Sequence, residues 1–390
     1  MVDEKKSLLW VTYLIIDTDL HRTSRIEILQ NLAKRGYDVT LLAAYSETKP
    51  SFERIRSLLI PARKVPLLTY LILAITFALL LPVLILKLRP RFIITEPYLT
   101  TFFALITSRG IPRAIRPRIV VDVRSTPVEA RGLNGLLVTL FFHAVMVTAR
   151  NLLDGITTIT TMMKRELCST YRLDPNSVGV WTSGVSTEIF VPKGEKARQL
   201  REEMGLDGKF VVLYHGVLTP NRGVTEAIGS LKFLKGKYDK IVLLVLGKGP
   251  SLSSLKESSR REVAEGRLVF HGPVDYRKVS EYISASDVGI VPLPDIPDWR
   301  SQCPLNLLEC LAAEKVVVAT DIPANRNVGG DSKSVIYAKP DEEGIAKAIM
   351  YAFDNKDSLK EWGARGRALV KEEFDWPIIA RNLDRYLATR

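Results

Sequence analysis

PLNLLECLAAEKVVVAT, residues 304–320, joins two patterns in one short stretch. Leu305, Leu308, Leu311 and Ala312 recur at helical spacing, and Pro304 suits a first helical turn, where its missing N–H costs nothing. The KVVVAT that follows (315–320) is a β-branched apolar run with no polar face, the pattern of a strand covered on both sides. A helix leading into such a strand is the repeating piece of a parallel sheet. One residue breaks the pattern. Glu309 lies five positions beyond Pro304, roughly 7.5 Å along the helix axis. Taken alone, a solvated surface acid is the simpler reading. Free N–H groups at a helix start can hold a phosphate, however, and a carboxylate about one nucleoside away can accept two hydrogen bonds from a ribose diol.

The same alternation runs through the chain. Apolar strand-like runs occur at 8–16, 39–43, 92–95, 118–123, 155–160 and 178–181, and again at 210–216, 240–247, 267–272, 287–293, 315–320 and 334–338. Helical periods lie between most of them, such as 24–36, which ends at Gly36. Two such series predict an α/β protein with two doubly wound, Rossmann-like parallel-sheet domains at 1–186 and 187–372. A terminal helical segment at 373–390 follows, and the linker is expected near 186–199. Ligands in such sheets bind beyond the carboxyl ends of the strands, so the cleft between two facing sheets is the expected site.

The chain has 390 residues, 46% of them hydrophobic and 25% charged, which excludes a disordered protein. Cys168, Cys303 and Cys310 have no metal-ligand spacing and make no even disulfide framework, so a reducing cytoplasm is the expected setting and no metal is expected. The net charge of +12 is uneven: residues 1–186 carry 24 Lys and Arg against 14 Asp and Glu. In that half, residues 65–86, 98–108 and 133–149 are uncharged. The first is flanked by Arg63, Lys64, Lys87, Arg89 and Arg91 and as a helix would be about 33 Å long. A true membrane span there would put strands 8–16 and 39–43 on one side and 92–95 and 118–123 on the other, where they could not share a sheet. A helix in the membrane interface, an ordinary core helix and a true span are the three readings, in that order, and the basic flanks favour the interface. The membrane surface is therefore an expected partner, through 65–86 and 133–149. Nucleic acid is not, since basic residues do not alternate with aromatics along one strand.

Other residues have two readings each. GKGPSL (247–252) has Leu252 where a dinucleotide fingerprint needs its third glycine. His143, in LFFHAVMV, reads as a core or membrane-facing residue rather than a base. His21 and Arg124 with Ser125 follow predicted strands and read as sugar or acceptor contacts or as plain loop residues. Lys248 reads as a phosphate contact or a solvated lysine.

The region around Glu309 resembles the nucleotide-sugar site of glycosyltransferase family 4, retaining enzymes with the GT-B fold. The family variant S-P-x-K-L-x-E-Y-M-A-A-G-K-P-V-V-A-T-D aligns with Cys303, Pro304, Leu305, Asn306, Leu307, Leu308, Glu309 and on to KVVVATDIP. The resemblance implies that Glu309 binds the ribose, with Cys303 to Asn306 alongside the donor. LYHGVLTPNRGVTEAI (213–228) is similar to the family's phosphate loop, which implies Arg222 on the diphosphate with Gly216 and Gly223 as loop glycines. LLVLGKGPSLSSL (243–255) is similar to its v-G-x-G-P strand end, adding Lys248 and Gly249. RLVFHGPVDYRKVSEYISASDVGIVPL (267–293) is similar to the segment closing over the base, with Pro273 and Val274. FDWPIIARNLDRYL (374–387) is similar to the last helix, which in this fold packs back on the first domain.

The chain also departs from the pattern. Ser301 stands where the family often has a sugar-binding glutamate, Asn306 replaces a lysine, Val217 an arginine and Glu314 a glycine. DTDLHRTSR (17–25) replaces a glycine-rich loop. The resemblance implies a retaining transferase acting on a UDP- or GDP-linked sugar without a metal or tightly bound cofactor. Arg222, Glu309, Ser301, Arg124 and His21 are its catalytic candidates. The greasy, basic first half adds a lipid-linked or glycan acceptor at the cytoplasmic face of the membrane. A nucleotide-sugar epimerase on the same fold and a non-catalytic subunit are the alternatives.

Overall fold

The computed structural model describes residues 6–18, 22–62, 68–127 and 132–390. His21, the start of the 65–86 segment and positions 128–131 lie outside the described residues. The chain forms two compact units, Met1–Thr182 with Trp376–Arg390, and Ser183–Asp375. Residues 183–186 and 373–375 thus belong to the second unit. Val185 N–H donates to Phe374 O at 2.9 Å, and Thr187 Oγ1 donates to the Asp375 carboxylate at 2.9 Å.

The first unit is one parallel sheet of seven strands: β1 (Ser7–Ile15), β2 (Asp38–Tyr45), β3 (Arg56–Pro61), β4 (Phe92–Thr95), β5 (Arg118–Val123), β6 (Gly155–Thr158) and β7 (Val178–Val180). Their order is β3-β2-β1-β4-β5-β6-β7, so the topological switch lies between β1 and β4. Six of these strands are continuous apolar runs in the sequence. The seventh, β3, is not, because it is an edge strand with exposed Arg56 at one end and Pro61 at the other, and only an edge tolerates that composition. Helix α1 (Arg22–Lys34) and the C-terminal helix Trp376–Ala388 cover one face. There Trp376, Ile379, Leu383 and Leu387 pack with Ile28, Leu29, Leu32 and Trp10. Asp384 on that helix accepts from Tyr37 Oη at 2.9 Å and from Arg35 at 2.8 Å.

The other face carries α2 (Leu68–Leu88), α3 (Leu99–Arg109) and α4 (Gly132–Leu152). Strands β1 and β4, one before and one after α2, pair directly through Leu8↔Phe92 to Val11↔Thr95. Helix α2 is therefore a crossover helix of the sheet and not a span. Gly135–Leu152 is long and apolar enough to cross a membrane, but it joins β5 to β6, which are also hydrogen-bonded neighbours. Helix α2 buries Leu73, Phe77, Leu81 and Ile85 against the sheet. It turns Ile72, Ile75, Leu79, Val83 and Leu86 outward, each 51–70% exposed. That outward stripe is spaced by three or four residues along four turns, where a helix covering a sheet ordinarily carries polar side chains.

The second unit is a parallel sheet of six strands: β8 (Phe210–Val217), β9 (Ile241–Lys248), β10 (Leu268–His271), β11 (Val288–Val291), β12 (Val316–Thr320) and β13 (Val335–Ala338). Their order, β10-β9-β8-β11-β12-β13, puts the switch between β8 and β11. Apolar layers fill both faces of this sheet. The helix Leu305–Ala312 lies between β11 and β12 in the chain, packed against both strands and against the helix Leu359–Glu373. The spacing of Leu305, Leu308, Leu311 and Ala312 predicts a helix buried on one face only, and the structure corrects this. Leu307 to Ala312 are all buried, while Leu305 is only partly so. Elements on several sides close the helix around its circumference, and Glu309 is enclosed with it.

Candidate functional site

Strand β8 ends Tyr214–His215–Gly216–Val217, beside the switch point. Its register pairs Gly216 with Gly247 at the end of β9. A side chain at Gly247 would meet the Gly216 carbonyl, since an added Cβ would sit 2.0 Å from that oxygen. The chain then turns through Pro220–Arg222 into Gly223, whose φ is 68°. A Cβ at Gly223 would lie 1.7 Å from the Pro292 carbonyl oxygen, so both conformation and space require glycine there. The segment resembling the phosphate loop and the one resembling the v-G-x-G-P strand end are thus closely apposed backbone.

Arg222 emerges from this turn with its guanidinium 4.8 Å from the centre of the Trp299 ring. Trp299 Nε1 donates to Asn221 O at 2.6 Å, which ties the tryptophan to the same turn. Arg222 Nε is buried and has no hydrogen-bond partner among the described residues. A buried, unpaired guanidinium N–H is costly unless an anion completes it. Tyr214 Oη donates to Val217 O at 2.8 Å and braces the strand end.

Glu309 is 9% exposed, despite its charge. Its partner is His215, whose Nε2 lies 2.8 Å from Glu309 Oε2. Burial opposes a charge on the His215 ring. The Cys310 sulfur and the Glu309 carboxylate beside it overcome this and raise its pKa from 6.5 to about 10. The direction of the shift favours the protonated ring beside the Glu309 carboxylate. Because its folded-state pKa is raised, this pairing stabilises the fold fully below about pH 6.5 and is lost as pH rises through about 10. The helix start has no side-chain cap from Pro304, and Asn306 Oδ1 reaches only the adjacent Leu307 N–H, at 3.1 Å.

The remaining expected residues sit as follows. Cys303 and Pro304 are buried, and Leu305 and Asn306 are partly exposed at the helix start. Lys248 and Pro273 are exposed, and Gly249 and Val274 are partly buried. Ser301 is 4% exposed. Glu314 adopts φ 60°, the conformation for which the resembling motif uses glycine. In the first unit Arg124 follows β5, donates to Trp181 O at 2.9 Å and stacks 3.9 Å over the Trp181 ring. Beneath it Trp181 Nε1 donates to Asp122 at 3.0 Å, and Arg25 bridges Asp122 (3.4 Å) and Glu96 (3.0 Å). Thr12 Oγ1 donates to Glu96 at 3.0 Å, closing this buried network at the switch between β1 and β4. His143 is exposed on α4, hydrogen-bonded to Tyr171 Oη.

Sequence reading singled out neither His215 nor Trp299 nor the Arg25 network. The signal for His215 was present: a polar residue ending an otherwise apolar strand, directly before a glycine. Trp299 sits in PDIPDWRSQ, where nothing local marks it.

Residues 196–369 match the family described as Glycosyl transferases group 1, and residues 23–189 match Glycosyltransferase Family 4. The alpha-maltose-1-phosphate synthase of Mycolicibacterium smegmatis is 26% identical over 290 residues, covering 70% of this chain and 71% of that protein. A GDP-mannose-dependent alpha-(1-6)-phosphatidylinositol monomannoside mannosyltransferase of Mycobacterium tuberculosis is 24% identical over 52% of this chain and 54% of its own. Among solved structures, sucrose-phosphate synthase from Thermosynechococcus elongatus superposes with a TM-score of 0.80 at 15% identity, over 99% of both chains. Anabaena HepE in complex with UDP and glucose gives 0.76 at 13% identity, over 99% of this chain and 100% of that one. The fold is GT-B.

Proposed function

The chain belongs to the group 1 glycosyl transferases of family 4, and from that premise we propose that it moves a hexose, with retention, from UDP or GDP to a lipid-linked or glycan acceptor. It acts at the cytoplasmic face of the membrane, as a peripheral or monotopic protein. The observation that carries the donor half is the pairing of two groups around one switch point. Among the described residues, the buried N–H of Arg222 Nε has no partner, and Glu309 has one oxygen held by His215 and the other unengaged. A nucleoside diphosphate satisfies both, its phosphates on Arg222 and the uncapped helix start, its ribose diol on Glu309.

The chemistry follows from where charge develops. As the glycosidic bond to the donor breaks, negative charge builds on the leaving diphosphate. A guanidinium already fixed against Trp299 stabilises that charge without reorganising, and a helix N-terminus adds partial positive charge. This positive field, rather than a metal, supplies the electrostatic stabilisation.

The exposed stripe of α2 supports the membrane half of the reading. Exposed Leu136, Leu140 and Val147 on α4 and Ile106 on α3 extend the apolar surface. Exposed Lys87, Arg89, Arg109, Arg113 and Arg150 stand in or just past the last turns of these three crossover helices, each of which leads into the start of a parallel strand, so they gather at the N-terminal ends of the strands. An apolar face with a basic rim matches an anionic lipid surface.

The test is transfer from UDP- and GDP-hexoses to glycolipid acceptors in anionic vesicles, with the new linkage read by NMR. Consumption of an α-linked donor only when acceptor is present, giving an α-linked product, is expected. A β-linked product would overturn retention, and donor interconversion without acceptor would mark an epimerase.

A further inference from the structure

The donor reading leaves one residue unused. His215 is 6% exposed and comes from a different element than the acid it holds. Its Nε2 lies 2.8 Å from Glu309 Oε2, while Glu309 Oε1 takes no hydrogen bond among the described residues. A free glutamate side chain samples several rotamers, and each must be given up when a ligand is clasped. One fixed oxygen sets the plane of the carboxylate and leaves Oε1 for a ligand hydroxyl. Oε2 keeps a second lone pair, so a vicinal diol can still span both oxygens. The partner's charge also matters. An unpaired carboxylate would repel a neighbouring diphosphate, whereas an imidazolium–carboxylate pair is neutral. The raised His215 pKa is in keeping with such a pair at neutral pH.

We propose that His215 is the positioning residue of the donor site: by pinning Glu309 Oε2 it turns the carboxylate edge toward the ribose 2′,3′-diol, and so sets the preference for ribonucleotides over 2′-deoxyribonucleotides. This rests on the reading of Glu309 as the ribose acceptor given above. His215 itself does not touch the donor.

The experiment is calorimetry on the full chain with UDP, GDP and their 2′-deoxy counterparts, for the wild type, Glu309→Ala, His215→Leu and His215→Gln. The wild type is expected to favour the ribonucleotide by about tenfold or more, the worth of one hydrogen bond to a charged group. Glu309→Ala brings that ratio near one. His215→Leu does the same: loss of the pairing charge weakens both nucleotides, but the ribonucleotide more, so the ratio falls toward one, and His215→Gln, which keeps an N–H donor, retains most of the ratio. A purely structural histidine would lower both affinities together and keep their ratio. A wild-type ratio in folded His215→Leu overturns the inference. If that variant does not fold, His215→Asn, too short to reach Oε2, replaces it under the same criterion. A ratio unchanged in Glu309→Ala, or no binding by the wild type, overturns the donor reading and this inference with it. A ratio lost in Glu309→Ala but kept in the His215 variants overturns the inference alone.

Discussion

Replacing Arg222 with alanine is expected to lower kcat by about 10²–10³-fold, with a smaller rise in KM for the donor. The split follows from timing. Arg222 meets some phosphate charge in the ground state, but most of the charge it stabilises appears only as the leaving group departs. Its guanidinium is held over Trp299 at 4.8 Å, and Trp299 is anchored to Asn221 O, so the cation is in place before the substrate arrives. Lysine at the same position keeps the charge but loses the planar stack and the fork of donors, and is expected to recover only part of the rate. Arg222 is on a turn at the rim of the core, so the fold itself should survive either change. Steady-state kinetics on a folded variant, checked by its thermal midpoint, reads the result. A loss confined to KM would assign Arg222 to ground-state binding alone.

The second large effect concerns α2. Changing Ile75 and Leu79 together to glutamate is expected to reduce binding to anionic vesicles by about 100-fold or more. Burying each side chain in the acyl boundary contributes about 1 kcal/mol or more, and a carboxylate there adds repulsion from anionic headgroups. Both residues are more than half exposed and point away from the sheet, so stability should change little. Vesicle co-sedimentation measures this directly. Binding that is unchanged in the double variant, or equal on neutral vesicles, would contradict the membrane face. The same substitutions on a face that merely covered the sheet would be silent.

The fold was largely legible because its strands are unusual. A strand buried on both faces needs no polar alternation, and VVLYHG, IVLLVLG and KVVVAT cannot be surface elements. Strand β3 escaped because an edge strand obeys looser rules, and its arginine and proline resemble a loop. Glu309 was legible from helix geometry and from the motif around it. For His215 only the strand-end position was legible and not the partner, since that contact lies 94 positions away in the chain and a single histidine carries no local sign of it. Trp299 is hidden for the same reason, reaching Asn221 across 78 positions. The two stripes of α2 were hidden differently. A helix that is apolar all round gives no sign of which side meets the sheet, and only the packing separates Phe77 inside from Leu79 outside.

The donor site can be read without any acceptor, from the thermal midpoint of the purified chain with UDP, GDP, ADP and their common sugar conjugates, beside Glu309→Ala. A ligand that binds only the folded state raises the midpoint by linkage. The account predicts a rise with one nucleotide series, abolished in the variant while its unliganded midpoint remains that of a folded protein. A folded wild type that none of these compounds stabilises, or a rise that Glu309→Ala leaves intact, would contradict the assignment of this acid and of the switch point around it.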